Sequence, residues 1–493
     1  MNPPDHPSSL DSERSKTTTM SHHCSSHPLS GVVVLDMSRL YPGPLCAQLL
    51  ADLGANVIKI EDEKSGGDPT RHFPPTMKEE EKEQELSKNS SYLFHCFNRN
   101  KKSISLDFKR KDISQILKKI ILKNDLMEEI VHSENHIVVR VLIDSARPGK
   151  LEQLLGIQHV SELWEWNPAL VICRVSAFGQ EVKKYGDIPA HDMNTVGAAG
   201  IFNIMGDVSE KNEELKPLPI QLSDVMTGYS AALQVTALIR KLESILQNSN
   251  FTHNEKITLL KQVNRQIDVS MFDNAIATIQ MPLTLQLNGY EEMASNGKHV
   301  LAGSILGYNI YPTKEGLLSV GCLEPHFWKG FLTVLSQYEN PTCNHASRHK
   351  TLSEESFNPQ KDSKKSQPTS TTTLLPPLTK YSSPQYLFSN DATLKTRITK
   401  ILATKTAFEW EEIFTQCASS AKLPITKIRR LNEIDRELLR ERNMIANMDK
   451  KKQLIVKNAL DYSSLLKTSE TNESTSQRGP QLGEHNDLFL SKL

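Results

Sequence analysis

The sequence lacks an excess of charge of either sign, and it lacks long apolar runs. Lysine and arginine together number 58, and aspartate and glutamate together also number 58. A balanced charge gives the chain no overall attraction to nucleic acid or to an anionic membrane surface. No run approaches the roughly 18 apolar residues that a membrane-spanning helix needs. We therefore expect no nucleic-acid partner and no membrane span, and any cationic site has to be local.

Paired cysteines are also missing. The seven cysteines are scattered, odd in number and never spaced as Cys-x-x-Cys, which predicts neither a disulfide framework nor a zinc site and indicates a reducing compartment. His22, His23, Cys24 and His27 carry metal-ligand side chains, but they lie in residues 1–30, which are rich in Ser, Thr, Pro and His and have no apolar face. We predict a disordered tail over 1–30 and no metal site.

A strand–helix–strand unit is predicted directly after this tail. Residues 31–36 and 56–60 have the apolar, β-branched composition of strands, and the helix predicted between them at 45–53 ends at Gly54. The sequence Tyr-Pro-Gly-Pro at 41–44 stands where a dinucleotide-binding loop needs glycines, and its prolines remove backbone donors. We predict a parallel α/β sheet without a nicotinamide site.

Cations are concentrated in front of a further predicted strand at 103–107. Arg99, Lys101 and Lys102 place positive charge at the start of that strand, where it suits a phosphorylated ligand. A solvated charged surface is the alternative interpretation.

Two proton-handling side chains, His191 and Asp192, are adjacent in a polar connector at 187–195. A predicted buried strand at 170–176 precedes the connector, and small residues at 196–200 follow it, so the pair is expected at the edge of a core. Histidine titrates near neutral pH and often handles protons in catalysis. A structural loop histidine is the alternative.

Two further acidic residues stand at predicted helix starts. Asp224 precedes a helix at 225–239, where it either caps backbone N–H groups or lies beside the positive helix end as a functional anion. Glu324 precedes Pro325, which suits a first helical position. Because Glu is not a preferred cap, a capping role explains Glu324 less well.

Several segments are biased in composition. Residues 341–390 are rich in Ser, Thr, Lys, Asn and Pro and predict a disordered insertion, while 241–265 predict a polar insertion. The chain ends in Ser491-Lys492-Leu493 after a polar tail at 468–487. A terminal Ser-Lys-Leu is an address read by the peroxisomal import receptor, so we predict an accessible signal and a peroxisomal location.

Four motifs together resemble the family III coenzyme A transferases (CaiB/BaiF). They are Val-Leu-Asp-Met-Ser-Arg-Leu-Tyr-Pro-Gly-Pro at 34–44, Leu-Ala-Asp-Leu-Gly-Ala-Asn-Val-Ile-Lys-Ile-Glu at 50–61, Gly-Gly-Asp-Pro-Thr-Arg at 66–71 and Asn-Arg-Asn-Lys-Lys-Ser-Ile at 98–104. The sequence His-Asp-Met-Asn at 191–194 resembles the alpha-methylacyl-CoA racemase branch of that family.

The resemblance implies an α/β fold in which a large parallel-sheet, Rossmann-like domain is followed by a smaller α+β domain in an interlocked homodimer. On this basis we predict a large domain at 31–290, a small domain at 300–435 containing the insertion at 341–390, and a return segment and polar tail at 436–493. Coenzyme A, as part of the substrate, would bind between the domains without a separate cofactor or metal.

The resemblance also assigns coenzyme contacts. It makes Arg99, Lys101, Lys102 and Arg147 candidate ligands of the coenzyme phosphates. The chain departs from the family pattern at Asp62, Gln153 and Ala302, and in a longer, less regular segment at 111–140.

For the reaction, the resemblance implies a racemase that exchanges the α-proton of a 2-methylacyl-CoA through an enolate, in branched-chain fatty acid metabolism. Asp224 would act on one side of the substrate, and His191, beside Asp192 and paired with Glu324, on the other. The alternative is a coenzyme A transferase in which Asp192 attacks a thioester to form a mixed anhydride. A third interpretation is an acyl-CoA-binding or scaffold protein derived from the fold.

Overall fold

The computed structural model describes residues 27–76, 91–122, 140–205, 216–290, 299, 301–339, 376–416, 422–442, 444–447, 454–456 and 478–490. The chain forms two compact units. The first comprises 1–176, 227–269 and 442–493, and the second comprises 177–226 and 270–441. The chain passes between the units more than once, so no single cut near residue 300 separates them.

Strands and helices are numbered in chain order. The strands are β1 (Val33–Asp36), β2 (Asn56–Asp62), β3 (Lys102–Leu106), β4 (Arg140–Asp144), β5 (Leu170–Ser176), β6 (Gln266–Ser270), β7 (Tyr308–Pro312), β8 (Leu317–Gly321), β9 (Ile425–Lys427), β10 (Ile445–Asn447) and β11 (Leu454–Val456). The helices are α1 (Pro42–Asp52), α2 (Tyr92–Asn98), α3 (Ile113–Leu122), α4 (Lys150–Leu155), α5 (Leu163–Trp166), α6 (Asp192–Ala198), α7 (Ile201–Met205), α8 (Leu222–Leu246), α9 (His253–Gln262), α10 (Met271–Thr278), α11 (Gln280–Leu287), α12 (Pro325–Ser336), α13 (Pro384–Leu387), α14 (Ala392–Leu402), α15 (Ala407–Gln416), α16 (Arg436–Glu441) and α17 (Asn486–Leu490).

The first unit is built on a six-stranded sheet in the order β3-β2-β1-β4-β5-β6. The ladders from β3 to β5 are all parallel. Its central strands are buried on both faces, because Val34, Val141 and Val171 contribute to one apolar cluster while Leu35 and its neighbours contribute to another. Strands covered on both faces are typical of doubly wound α/β folds. The predicted parallel α/β sheet is confirmed.

The first strand–helix–strand unit follows the prediction with one shift. Helix α1 begins at Pro42, three residues before the predicted start, because proline suits the first turn of a helix, where its missing N–H is not needed. Order also begins before residue 31: Leu29 is buried, and its N–H donates to the carbonyl of Leu53 at 2.9 Å. The predicted disorder is therefore wrong for residues 27–30, and residues 1–26, including His22, His23 and Cys24, lie outside the described residues.

The second unit contains a small antiparallel sheet in the order β7-β8-β9. Helices α12 and α15 pack around it through Trp328, Phe331 and Trp410, all fully buried. This arrangement confirms a smaller α+β part in addition to the large parallel sheet.

Two biased segments are more ordered than their composition suggests. Composition predicts disorder for residues 376–390, but they contain a 3-10 turn and α13, and the side chains of Leu378 and Leu387 are fully buried in the core of the second unit. The prediction is wrong there, because Leu378 and Leu387 anchor the polar segment in the core. Residues 340–375 lie outside the described residues. The predicted polar insertion at 241–265 continues α8 and forms α9, with Leu242 and Leu260 buried in the first unit.

The polar tail is not free throughout. Residues 478–490 pack on β3 within the first unit, ending in α17 with Phe489 buried. The N–H of His485 donates to the carbonyl of Ser103 at 2.9 Å, and the N–H of Ser105 donates to Asn486 Oδ1 at 2.8 Å. Residues 478–487 of the predicted polar tail are therefore ordered, whereas the terminal tripeptide 491–493 lies outside the described residues, and its accessibility stays a prediction. Among the helices of the described chain, none combines the length and apolar character needed to cross a membrane.

Candidate active site

His191 and Asp192 mark the start of helix α6 in the second unit. Asp192 is the first helical residue, and the backbone N–H of His191 donates to the side-chain oxygen of Asn194 at 3.0 Å. The predicted connector therefore ends at His191. Asn194, three residues further along the chain, stabilises the start of the helix. The side chain of His191 is exposed and that of Asp192 is half-buried, so both remain accessible to a substrate.

The carboxylate of Asp192 binds the first turn of α8. Its Oδ1 accepts hydrogen bonds from Ser223 N–H at 2.6 Å, from Ser223 Oγ at 2.7 Å and from Asp224 N–H at 3.4 Å. Asp192 therefore satisfies backbone donors that a helix leaves free at its N-terminus. Asp224 is the third residue of α8, and the interpretation of Asp224 as the capping residue is wrong, because Asp192 from another helix takes that role.

Asp224 is a buried carboxyl group beside a second carboxylate. It is 8% exposed. Burial, first, and the negative charge of Asp192, second, raise the pKa of Asp224 to about 7. A carboxyl group with this pKa can give up or accept a proton near neutral pH, as general acid–base catalysis requires.

Two hydroxyl groups that were not identified from the sequence stabilise the pair formed by Asp192 and Asp224. Thr195 and Ser223 are fully buried, and their hydroxyl oxygens are 2.8 Å apart. Thr195 Oγ1 also donates to the backbone carbonyl of Asp192 at 2.9 Å. Because residues 195 and 223 are separated by 28 positions, no local spacing could have linked them. The only local signal is the polar pair Ser223-Asp224 at a helix start.

Glu324 caps the start of α12 through its backbone. The Trp328 N–H donates to its carbonyl oxygen at 3.0 Å, but its side chain makes no capping hydrogen bond. Together with burial, which is the larger cause, its charge raises the pKa of Cys322 to about 12. Within the described part of the second unit, no ion pair or hydrogen bond joins the side chains of Glu324 and His191. Their pairing stays a prediction.

A cavity of about 420 Å³ lies in the first unit, at the carboxyl ends of β1, β2 and β4. In the strand order, β1 lies between β2 and β4. Open α/β sheets bind their ligands outside the carboxyl ends of the strands, at the place where the strand order reverses. The cations Arg39 and Lys150 line this cavity, and so do Asp62 and Gln153, two of the positions that depart from the family pattern. Sequence reasoning missed both cations.

The predicted phosphate contacts differ in their surroundings. Arg99 is buried and paired with Asp52. Lys101 is buried as well, and its Nζ donates to Asp36 Oδ2 at 2.8 Å. Both cations are thus neutralised by buried carboxylates and have little charged surface for a phosphate.

The other two predicted contacts are more open. Lys102 is half-buried, with Nζ 5.8 Å from the centre of the Phe489 ring. Arg147 is exposed shortly before α4, and its carbonyl accepts a hydrogen bond from the N–H of Lys150 at 3.0 Å. Their role as phosphate ligands stays a prediction.

Three relatives share 26% or 27% of their aligned residues with this chain. The succinate–glutarate CoA-transferase of Agrobacterium fabrum is 27% identical over 293 residues, which are 59% of this chain and 62% of that protein. The human succinyl-CoA:glutarate CoA-transferase is 27% identical over 326 residues, 66% of this chain and 62% of that protein. The human alpha-methylacyl-CoA racemase is 26% identical over 304 residues, 61% of this chain and 63% of that protein. The match thus spans less than two thirds of each of these relatives.

Solved structures share the fold. A CaiB/BaiF family protein from Brucella suis matches with a TM-score of 0.64 at 17% identity, over 94% of this chain and 99% of that chain. The protein Rv3272 of Mycobacterium tuberculosis matches with a TM-score of 0.63 at 20% identity, over 94% of this chain and 99% of that chain. Residues 29–362 and 372–486 match the sequence profile of CoA-transferase family III. With most of its length matched in this way, the chain belongs to CoA-transferase family III.

Proposed function

We propose that the chain is a racemase that interconverts the two configurations of 2-methylacyl-CoA thioesters by exchange of the α-proton. The observation that carries the proposal is the proton affinity of Asp224. This carboxyl group is buried beside the carboxylate of Asp192, and its pKa is raised to about 7. A transferase that uses Asp192 as its nucleophile has no need for a second carboxyl group that titrates near neutral pH.

The chemistry requires two bases. The thioester makes the α-proton removable, but the enolate that results is strongly basic, so the site has to supply a nearby base and a stabilised place for the oxyanion. One group acting on one face would return the proton to the same face. In the proposal, Asp224 acts on one face and the exposed imidazole of His191 on the other, and their roles exchange with the direction of the reaction.

The substrate's coenzyme end is assigned to the sheet-end cavity of the first unit. Arg39 and Lys150, which line the cavity, supply positive charge for phosphate groups. Lys102 and Arg147 remain candidates from the sequence. Replacing Lys150 by Gln is expected to raise the dissociation constant of coenzyme A, measured by calorimetry.

The relatives described above include a racemase as well as CoA-transferases. The human alpha-methylacyl-CoA racemase is among the relatives, but two of the relatives described above are CoA-transferases with similar identity. The residues that favour the racemase are His191 before the shared aspartate and Glu324 in its Glu-Pro-x-Phe sequence, both of which resemble the racemase branch.

The test is turnover of a single enantiomer of a 2-methylacyl-CoA in deuterium oxide. A racemase incorporates one deuterium at the α-carbon while the chirality of the thioester is lost, and mass spectrometry with chiral chromatography follows both. Retention of protium and of configuration by the folded, coenzyme-binding protein would refute the proposal. A chain that binds the thioester without any turnover would instead be an acyl-CoA-binding or scaffold protein.

A second candidate function is a CoA-transferase in which Asp192 is the nucleophile. The observation that favours it is the half-buried carboxylate of Asp192, whose Oδ1 accepts the three hydrogen bonds from α8 while Oδ2 accepts none from the described residues. Attack by Oδ2 on a thioester would expel coenzyme A as thiolate and leave a mixed anhydride. Hydroxylamine would trap that acyl group on Asp192 during turnover, and Asp192→Asn would abolish transfer; a racemase forms no such adduct.

Assembly and location are proposals as well. We propose that the protein acts as an interlocked homodimer, which light scattering of the purified full-length chain would show as twice the 55.5 kDa of the chain.

We also propose import into peroxisomes through the terminal Ser491-Lys492-Leu493. A fluorescent protein fused before the full-length chain should enter peroxisomes, and cytosolic fluorescence in cells whose peroxisomes import normally would contradict this.

A further inference from the structure

We propose that Ser223 is a positioning residue: its hydroxyl group, held in turn by Thr195, fixes the carboxylate of Asp192 beside Asp224. The inference rests on the proposed function, in which Asp224 exchanges the α-proton. It adds two residues, neither of which carries a charge, to the groups on which the reaction depends.

The donor in each contact between these oxygens follows from the number of hydrogens that each group carries. Each hydroxyl group has one hydrogen to donate and lone pairs that accept. The carboxylate of Asp192 accepts only, so the contact of 2.7 Å between Ser223 Oγ and Asp192 Oδ1 uses the hydrogen of Ser223. In the contact of 2.8 Å between Ser223 Oγ and Thr195 Oγ1, Ser223 therefore accepts, and Thr195 shares its one hydrogen between Ser223 Oγ and the backbone carbonyl of Asp192 at 2.9 Å. Thr195 thus holds Ser223, and Ser223 holds Asp192.

The position of these groups leaves them little freedom. Both hydroxyl-bearing residues are fully buried, so neither hydroxyl can exchange its partner for bulk water without cost. The Ser223 backbone N–H binds the same carboxylate oxygen at 2.6 Å. One residue thus holds Asp192 Oδ1 with two donors, and the carboxylate cannot turn toward solvent while both are in place.

The held carboxylate matters because it lies next to the proposed base. The two causes that raise the pKa of Asp224 are its burial and the charge of Asp192, and none of the other described residues contributes a charge to this rise. Ser223 donates two hydrogen bonds to Asp192 Oδ1 and so fixes that carboxylate beside Asp224. The charge of Asp192 at this fixed place makes Asp224 more basic.

The test compares Ser223→Ala with wild type in the deuterium-exchange assay, as a function of pH. We expect kcat to fall about tenfold, which is the scale of a lost hydrogen bond to a charged group, while KM stays within about twofold of the wild-type value. Without the hydroxyl group, Asp192 can turn away, its repulsion of the Asp224 anion weakens, and the acid limb of the pH profile moves to lower pH. The matched control is Ser244→Ala, because Ser244 lies exposed on the same helix and its hydroxyl donates to the Lys241 carbonyl.

A second pair of variants acts through the same hydroxyl group. Thr195→Val keeps a similar shape and removes the donor to Ser223, whereas Thr195→Ser keeps the donor and should retain the wild-type pH profile. Because Thr195 and Ser223 act in one chain of hydrogen bonds, the double variant Thr195→Val with Ser223→Ala should be no slower than Ser223→Ala alone. If Ser223→Ala does not fold, as judged by its melting curve, the two Thr195 variants provide the comparison.

The outcomes separate the inference from the proposed function. A wild-type protein that incorporates no deuterium overturns both. A wild-type protein that exchanges the proton, with Ser223→Ala unchanged in rate and pH profile, overturns the positioning role alone. A slower Ser223→Ala with an unmoved acid limb also overturns it, since a hydroxyl group that only stabilises the helix start would lower the amount of active protein without moving the titration.

Discussion

Two buried aspartates, Asp36 in the first unit and Asp224 in the second, differ in what surrounds them. In the first unit, Asp36 Oδ2 lies 2.8 Å from Lys101 Nζ and 3.6 Å from Lys59 Nζ, and Lys59 Nζ lies 3.0 Å from Asp68 Oδ2. Burial alone would raise the pKa of Asp36, but the charges of Lys101 and Lys59 outweigh it and lower the pKa to about 2. The carboxylate stays ionised and structural.

In the second unit, the same type of side chain meets an anion instead of a cation. Asp224 has Asp192 as its charged neighbour, and burial and repulsion both raise its pKa. Two buried aspartates in one chain thus have pKa values of about 2 and about 7. Burial alone therefore does not decide the role of these two carboxylates. Two nearby cations keep Asp36 ionised, whereas Asp224 has an anionic neighbour and keeps a proton that can be exchanged.

The largest effect is expected from the removal of a cation from the first unit. Lys59→Met leaves Asp36 and Asp68 with less positive charge in a fully buried site, so we expect a loss of about 3–5 kcal/mol in the free energy of unfolding. Urea denaturation at pH 7 measures it. Lys64→Met is the matched control, because the Lys64 side chain is 59% exposed and its nearest carboxylate oxygen, on Asp107, is 4.0 Å away. A loss no larger than that of the control would show that the buried charges are not coupled.

Removing the exchangeable proton from the second unit should abolish most of the activity. Asp224→Asn and His191→Ala are each expected to slow racemisation by at least about a hundredfold, the lower end of typical contributions from general acid–base catalysis. Chiral chromatography of both substrate enantiomers measures the rates. Binding of coenzyme A, measured separately, should be unchanged. Near-normal racemisation by either variant would rule out the two-base assignment.

The same substitution should have an opposite effect on stability. Because the pKa of Asp224 is raised from 3.8 to about 7 on folding, the folded chain binds this proton more tightly than the unfolded chain. The stability that the protonated group contributes is complete below pH 3.8 and is lost as the pH rises through about 7. Asn cannot ionise, so Asp224→Asn should gain stability relative to wild type over this window, by about 1.4 kcal/mol for each pH unit that is crossed.

Urea denaturation of both proteins at intervals from about pH 4 to about pH 8 brackets this window. A difference in unfolding free energy that is independent of pH would mean that Asp224 titrates alike in the folded and unfolded chain. Asp224 would then lack the proton affinity on which the proposed function depends.

Local patterns in the sequence were sufficient for most of the sheet. The strand–helix–strand unit at the start depends on apolar runs and on Gly54, whose backbone adopts a positive φ of 95° after α1. Such features act within a few residues, so they can be recognised without a structure. Composition failed at 376–390, where the burial of two leucines determines the structure of an otherwise polar segment.

The electrostatics of the site could not be predicted in the same way. Ser223 holds Asp192 across 31 positions, and Lys101 reaches Asp36 across 65. A sequence shows which side chains carry charge but not which of them meet. For this reason Arg99 and Lys101 could be taken for exposed phosphate ligands, although the fold neutralises both, and Asp224 could be taken for a cap.

The return of residues 478–490 to β3 has a consequence for how the protein behaves at high concentration. Strand β3 is the last strand on its side of the sheet, and the backbone of Ser103 and Ser105 would otherwise offer free N–H and C=O groups along that edge. His485 and Asn486 occupy these groups instead. An uncovered edge strand recruits strands from other molecules and leads to aggregation. The C-terminal segment therefore prevents edge-to-edge association of β3 with other molecules. A chain shortened before residue 478 should precipitate as its concentration rises.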